Sequence, residues 1–276
     1  MTFDFMTLYL ILSFPVLLVV WLAYVSRNFF LCVGHWLLSR RYEVEFSGVE
    51  NFAPEKNYLI IPNHPALVDP MILVTELHCK GVDICPLVDE SFFSNRFLRH
   101  ILSLFKAVRV PDFRRENFRP ILKNRPGMRS GAKRAKALSY SILALLTAGE
   151  NVLLYPSGHI SANGLENLGN RQLAHNVISE LPKDVAVVAV RMRGLWGSMW
   201  SRAGRKYAPP FIKTLLKAIA IFPSAFFKEK RLCRIVAEDI TDRAVEWAKL
   251  GRQGFDKKLE EWYNADPEVI IEGAQL

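Results

Sequence analysis

The segment "NYLIIPNHPALVDP", residues 57–70, joins an apolar run to a histidine, an aspartate and three prolines. The run 57–61 is short and apolar, which is typical of a buried strand. Asp69 before Pro70 indicates a helix start, since aspartate caps helices and proline suits the first helical position. A continuous helix through the segment is excluded, because Pro70 lacks the amide that it would need. The segment therefore predicts a strand, a tight loop carrying His64, and a helix that begins near Asp69.

His64 and Asp69 carry the chemistry that this loop offers. A turn of four residues separates them and can bring the two side chains face to face. Histidine can take a proton near neutral pH, and a carboxylate beside it can fix the tautomer of the ring. The pair predicts a general base and its orienting partner. Two alternatives stay open: a histidine bonded only to the backbone, and an aspartate that only caps the helix.

Strand-like and helix-like runs alternate along the rest of the chain. The predicted strands are 41–46, 82–91, 106–110, the start of 151–161, 184–194 and 231–240. The predicted helices are 70–80, 94–105, 130–148, 170–181 and a single amphipathic final helix, 243–264. This alternation predicts an α/β domain with a central mixed sheet flanked by helices.

Polar residues follow several of the predicted strands, where ligands of α/β proteins usually bind. Besides His64, they are Arg109, the "PSGH" loop at 156–159, and the pair Arg191 and Arg193. From 109 to 136 the chain has ten Lys or Arg residues against two acids. This run either binds anionic headgroups at a membrane, or receives a phosphate of a substrate, or is a solvated basic loop.

The N-terminal part reads as a membrane anchor. Residues 5–26 carry no charge, and as a helix they would extend roughly 33 Å, enough to cross a bilayer. Pro15 would kink that helix, and 27–40 suits a helix at the membrane interface. One kinked span and a helix pair in one leaflet are equally compatible. We predict an anchor over 1–40 and a catalytic domain over 41–276, on the cytoplasmic side because arginines follow the apolar segment.

Composition limits the remaining classes of function. The chain has 276 residues, of which 50% are hydrophobic, and a formal net charge of +9. The charge suggests an anionic lipid, substrate or nucleic acid, but no nucleic-acid recognition pattern accompanies it and we predict no such partner. Four cysteines form neither a CxxC pair nor a metal spacing, so reduced thiols and no metal are expected.

Several blocks resemble the glycerolipid acyltransferases, a family that includes 1-acylglycerol-3-phosphate acyltransferase. "NHPALVD", 63–69, matches the N-H-x-x-x-x-D motif of that family. "LLYPSGHIS", 153–161, stands where the family has its F-P-E-G-T-R-like block, and "VAVVAVRMRG", 185–194, resembles the later V-P-V strand. "KAVRVPDFRR", 106–115, falls where the arginine-bearing block lies. The resemblance extends from about residue 41 to the C-terminus.

This resemblance implies a reaction and a set of site residues. An acyl chain would pass from acyl-CoA or acyl carrier protein to a lysophospholipid such as 1-acylglycerol-3-phosphate at a membrane, without an organic cofactor. His64 would act as the base and Asp69 would orient it; no G-x-S-x-G motif supplies a nucleophile. The implied substrate-binding residues are Arg109, Arg114, Ser157, Gly158, His159, Arg191 and Arg193. Which of Arg109, Arg114 and Arg115 corresponds to the arginine of the family block stays open.

Departures from the family pattern leave the acceptor open. Ser157 stands in place of the glutamate of F-P-E-G, His159 and Ile160 replace the Thr-Arg pair, and Ala189 replaces the proline of V-P-V. The glutamate and arginine positions are associated with the glycerol phosphate of the acceptor. An aminolipid precursor, such as a lyso-ornithine or lyso-glycine lipid, is therefore a second candidate acceptor. A non-catalytic lipid-binding protein on the same scaffold, or a thioester hydrolase, would also be compatible with these residues.

Overall fold

A computed structural model describes residues 17–18, 21, 26–53, 56–110, 131–169 and 171–266, and for 131–134 only the backbone. Apart from 17–18, 21 and 26, the predicted apolar anchor segment at 5–26 lies outside the described residues. Within the described part of the chain, no helix is both long enough and apolar enough to cross a membrane.

The chain order of helices and strands follows the predicted alternation. The helices are α1 (Arg27–Arg41), α2 (Asp69–Cys79), α3 (Arg96–Leu104), α4 (Gly131–Thr147), α5 (Leu173–Ser179), α6 (Phe211–Ile221), α7 (Thr241–Lys249) and α8 (Gly251–Asn264). The strands are β1 (Tyr42–Ser47), β2 (Asn57–Pro62), β3 (Ile84–Asp89), β4 (Val108–Val110), β5 (Asn151–Leu153), β6 (Val185–Arg193) and β7 (Arg231–Asp239).

The strands form one mixed sheet in the order β1-β7-β6-β2-β5-β3-β4. Every described pairing is parallel except that of β6 with β7, which is antiparallel. The central strands β2 and β6 are buried on both faces. Their sequences are therefore nearly continuous runs of apolar residues. The prediction of a central mixed sheet is confirmed.

Helices cover both faces of the sheet, as the α/β prediction requires. On one face, Ile60 and Val190 pack with residues of α1 and α2, and with partly buried residues of α3 and α6. On the other face, Ile61 and Val187 pack with residues of α4, α5, α7 and α8. Because β2, β6, β5, β3 and β4 run in the same direction, the loops that follow them meet at one edge of the sheet.

One prediction of helical structure was wrong, and one helix was not predicted. The single final helix predicted over 243–264 is two helices, α7 and α8, which meet at Gly251. Gly251 has φ +75°, a left-handed conformation that glycine adopts without steric cost and that ends a helix. Helix α6 was not predicted, although it packs Phe211, Leu215 and Ala218 against the core.

Candidate active site

The loop that carries His64 is fixed to the neighbouring strand by Asn63. The Asn63 side chain is buried, its Nδ2 donates to the carbonyl oxygen of Met192 at 3.1 Å, and its Oδ1 accepts from the Met192 amide at 2.7 Å. These two bonds extend the pairing of β2 with β6 by one residue through a side chain. The chain then leaves the sheet at His64, at the edge where the strands end.

His64 and Asp69 form a hydrogen-bonded pair across the loop. Nδ1 of His64 lies 2.9 Å from Oδ2 of Asp69, and the Asp69 side chain is fully buried. Oδ2 also accepts the amide hydrogen of Ala66 at 3.1 Å. Asp69 is the first residue of α2 and Val68 is the cap, so the predicted capping role of Asp69 is corrected. Its carboxylate points back into the loop and not along the first turn of the helix.

Tyr155 completes the surroundings of the aspartate. Its hydroxyl donates to Oδ1 of Asp69 at 3.0 Å, and its ring lies 4.3 Å from the His64 ring, centroid to centroid. Burial, reinforced by the charge of Asp69, raises the pKa of Tyr155 well above its ordinary value, so the hydroxyl stays protonated and donates. Sequence reasoning did not assign Tyr155 a role, although it follows β5 at the same edge of the sheet.

The pKa of His64 results from two opposing effects. Burial lowers it, because an imidazolium is poorly solvated there. The charge and hydrogen bond of Asp69, with a smaller contribution from Glu166, outweigh burial and raise the pKa above its ordinary value. The His64 side chain is 14% exposed, and no described residue hydrogen-bonds to its Nε2. This nitrogen is therefore available to a substrate.

A loop after β5 holds the backbone of His64 on both sides. The amide of Ser161 donates to the His64 carbonyl oxygen at 2.8 Å, and the His64 amide donates to Oε2 of Glu166 at 3.0 Å. Glu166 is 5% exposed, and its Oε1 is buried without a hydrogen-bond partner among the described residues. Burial raises the pKa of Glu166 to about 7. Sequence reasoning missed Glu166, since no motif includes it.

The predicted "PSGH" residues lie in this same loop. Ser157 is buried and its hydroxyl donates to the carbonyl oxygen of His159 at 3.0 Å, while Nδ1 of His159 lies 2.6 Å from the Ser157 carbonyl oxygen. Gly158 between them has φ +61° and is exposed, with open space on its Cβ side. The structure thus brings Ser157, Gly158 and His159 beside the His64 loop.

The predicted arginines are placed differently. Arg191 donates to the carbonyl oxygen of Trp262 and lies over its ring at 4.4 Å, and Arg193 donates to the Tyr263 carbonyl oxygen. Both guanidinium groups therefore hold the C-terminal end of α8, where cations are favourable. Arg109 lies on the edge strand β4 with its guanidinium 4.7 Å from the ring centroid of Phe93. The predicted Arg114 lies outside the described residues.

Comparison with known families decides the class of the protein. The sequence model of the family described as Acyltransferase matches residues 43–202, more than half of the chain. The chain belongs to the acyltransferase family. The resemblance drawn from the motifs is thereby confirmed, and the protein is an acyltransferase. The matched segment includes His64, Asp69, Tyr155 and Glu166, while α6 lies beyond it.

The same fold occurs in a solved structure of a known acyltransferase. It is the crystal structure of the 1-acyl-sn-glycerophosphate (LPA) acyltransferase PlsC from Thermotoga maritima, with a TM-score of 0.50 and 14% sequence identity. The alignment covers 91% of this chain and 86% of the PlsC chain. No curated protein matches the chain significantly in sequence. Among the described residues, no group of three or more His, Cys, Asp or Glu side chains is placed to hold a metal ion.

Proposed function

We propose that this acyltransferase moves a fatty acyl chain from acyl-CoA or acyl carrier protein to the hydroxyl of a lysophospholipid such as 1-acylglycerol-3-phosphate. The observation that carries the proposal is the His64–Asp69 pair, in which a buried carboxylate holds Nδ1 and leaves Nε2 at the site. The PlsC of Thermotoga maritima, which has the same fold, is a 1-acyl-sn-glycerophosphate acyltransferase.

Each group of the pair has a defined part in the proposed reaction. Nε2 of His64 takes the proton of the acceptor hydroxyl while its oxygen attacks the thioester carbonyl carbon. Asp69 keeps the other ring proton on Nδ1 and stabilises the imidazolium that forms. As the carbonyl reforms, the carbon–sulfur bond breaks and the thiolate leaves with the proton from Nε2. This sequence needs no metal, organic cofactor or covalent enzyme intermediate.

Ser157, Gly158 and His159 are the proposed contacts for the acceptor headgroup, since their loop adjoins the base. Arg109 and Arg114 are proposed to bind phosphate. For Arg191 and Arg193 the bonds to α8 support a structural role in place of the predicted phosphate binding.

An aminolipid precursor is a second candidate acceptor. Ser157 stands where the family pattern has a glutamate, and the residue is 1% exposed. A small buried hydroxyl leaves a different headgroup environment from a carboxylate. A lyso-ornithine or lyso-glycine lipid would offer the same attacking hydroxyl, so the chemistry at His64 would not change.

We also propose that the enzyme works at a membrane, with the catalytic domain on the cytoplasmic side. In support, α1 exposes Trp36 and Leu37 to solvent and carries Arg40 and Arg41 in its last turn. Aromatic and basic side chains in this arrangement suit the membrane interface.

The experiment is a transfer assay with purified protein in detergent micelles. Radiolabelled acyl-CoA and acyl carrier protein would each be offered with 1-acylglycerol-3-phosphate, other lysophospholipids and lyso-ornithine lipid. We expect one acceptor to give a labelled diacyl product. Release of free fatty acid without any acceptor would instead identify a thioester hydrolase, and transfer to none of the acceptors would contradict the proposal.

A further inference from the structure

Helix α6 exposes an apolar stripe that does not pack against the core. Ile212, Leu216 and Ile219 are spaced to share one side of the helix, and they are 49%, 61% and 61% exposed. The adjoining side of the helix, with Phe211, Leu215 and Ala218, packs against the core. Lys213 and Lys217, one turn apart, lie along one border of the stripe, and the helix has no acidic residue. A narrow exposed stripe with a lysine border is typical of a helix that lies in a membrane interface.

The exposed apolar surface continues beyond the helix. Phe226 and Phe227, which follow α6, are 54% and 91% exposed. The Phe226 ring packs edge-on against Phe222, at 5.6 Å between centroids. Phe222 in turn contacts Trp36 of α1, and the Arg40 guanidinium lies 4.9 Å from the Trp36 centroid and 5.8 Å from that of Phe226. The stripe, Phe226, Phe227 and the exposed part of α1 thus form one apolar surface.

A basic cleft borders this surface at the start of α6. Its volume is about 620 Å³. The described residues that line it include four cationic side chains and no acidic one: Arg205, Lys206, Lys213 and Lys217. Over residues 205–230 there are six Lys or Arg and one acid, Glu229. A cleft of this charge attracts anionic headgroups at the height of the interface, with the apolar stripe directed into the acyl region.

We propose that α6, residues 222–228 and the basic cleft form a docking surface for a bilayer that contains anionic phospholipid. A second copy of the chain fits less well, because a two-fold interface would place one basic cleft against another. The surface lies beyond residues 43–202, where the family match ends. Docking does not require the acyl-transfer reaction, so an inactive enzyme would still bind in this way.

Lipid contact can be measured directly at the stripe. Full-length protein, with the exposed Cys32 and Cys79 replaced by serine, would carry Leu216→Cys labelled with an environment-sensitive fluorophore. The matched control is Leu250→Cys, which is also 61% exposed but lies on the other face of the sheet. Phosphatidylcholine vesicles with or without phosphatidylglycerol would contain lipids with a quencher on the acyl chain.

The proposal predicts strong quenching at position 216, little at 250, and a marked loss of quenching at 216 without phosphatidylglycerol. Lys213→Gln combined with Lys217→Gln should weaken the dependence on phosphatidylglycerol. Equal quenching at positions 216 and 250 would overturn the proposal. Absence of quenching at position 216 in protein that sediments with the vesicles would also overturn it. So would burial of the probe at position 216 by self-association without lipid, or failure of the protein to bind the vesicles.

A second inference concerns Glu166, and it rests on the proposed role of His64. The family glutamate is replaced by Ser157, yet Glu166 brings a carboxylate to the same loop from nine residues downstream. Its Oε2 accepts the His64 amide at 3.0 Å. Asn264 fixes the backbone of Glu166 through both its amide and its carbonyl oxygen, each at 2.9 Å.

We infer that Glu166 is a positioning residue that holds the backbone of His64 in place and, in its ionised form, adds negative charge to the surroundings of His64. The titratable side chains that share its surroundings are His64, Asp69, Tyr155 and Tyr263. Since the charge of Glu166 raises the pKa of His64, Glu166→Gln keeps the acceptor for the amide but should lower that pKa. Glu166→Ala removes both effects.

The test combines kinetics with NMR titration of the His64 ring, which needs no activity. We expect Glu166→Gln to retain kcat within a few-fold, with the acidic limb of its pH profile and the His64 titration moved to lower pH. Glu166→Ala should lose more than tenfold in kcat. The control Glu260→Gln alters the bond to the Leu168 amide in the same loop and should leave the titration unchanged. A Glu166→Gln titration identical to wild type, or full activity of Glu166→Ala, would refute the inference, whereas an inactive wild type would refute the proposed function instead.

Discussion

Replacing Asp69 by asparagine removes the negative charge from the His64–Asp69 pair. The neighbouring hydrogen-bond donors determine the orientation of the new side-chain amide. The position of Oδ2 faces two donors, Nδ1–H of His64 and the amide of Ala66, so the amide oxygen has to occupy it. The amide NH₂ then faces the hydroxyl of Tyr155, which can accept a hydrogen bond. We therefore expect Asp69→Asn to keep the ring proton of His64 on Nδ1 and to leave Nε2 as a base.

The size of the effect follows from the lost charge. Two unit charges about 4 Å apart interact by roughly 4 kcal/mol at an effective dielectric constant of about 20. This corresponds to about three pKa units for His64. General-base catalysis contributes about 10²- to 10⁴-fold, and a weaker base in the correct tautomer keeps part of it. We expect kcat to fall about a hundredfold, and the acidic limb of kcat/KM to move to lower pH because the pKa of His64 falls.

The assay follows release of the free thiol from acyl-CoA in the presence of the acceptor, over the pH range where histidine titrates. Asp69→Ala is the comparison, since it leaves His64, Ala66 and Tyr155 without their shared acceptor and should lose far more activity. Circular dichroism would confirm that both variants are folded. An unchanged pH profile would contradict the predicted effect of the lost charge. An asparagine variant as inactive as the alanine variant would contradict the predicted orientation of the amide.

Three further predictions concern residues outside the base itself. Arg191→Met should lower the melting temperature, because Arg191 covers Trp262, but leave KM for the acceptor unchanged; a raised KM would show direct substrate binding. Gly194→Ala should destabilise the fold by about 3 kcal/mol in denaturant titrations, since a Cβ would lie 2.0 Å from the Leu232 carbonyl oxygen at φ +89°; a stable variant would contradict this. Asp256 is buried without hydrogen-bond partners among the described residues, and burial raises its pKa to about 6. Its stabilising contribution at low pH is therefore lost as the pH rises through that pKa. Asp256→Asn should raise the melting temperature when it is measured at a pH well above the pKa of Asp256, and should leave it unchanged at a pH well below that pKa.

The parts of the fold that could be predicted from the sequence are those in which a pattern within a short segment specifies the structure of that segment. Strand β2, the loop and the start of α2 follow from an apolar run, from Pro70 and from an aspartate before a proline. The pairing of His64 with Asp69 joins residues five apart, so the same short segment contains it. The break at Gly251 was not predicted, because the amphipathic pattern continues from α7 into α8 across it. Helix α6 was missed since its apolar residues lie on two sides and blur the periodicity.

The rest of the site depends on contacts between distant parts of the chain. Tyr155 meets Asp69 across 86 positions, and Glu166 meets His64 across 102. Alternation along β6 correctly placed Arg191 and Arg193 on one face of the strand. On that face the two arginines contact the end of α8, some 70 residues later in the chain. No local sequence pattern predicts which segment packs against them.

The proposed reaction depends on His64 as the base of an acyl transfer to a lysolipid. The most direct measurement compares wild type and His64→Ala for transfer of a labelled acyl chain from acyl-CoA or acyl carrier protein to 1-acylglycerol-3-phosphate and to lyso-ornithine lipid. Binding of the lysolipid to each protein would be measured in parallel. We expect transfer by the wild type, a loss of at least about a hundredfold in the variant, and unchanged binding. Equal transfer by the two proteins, or binding without transfer by the wild type, would contradict it.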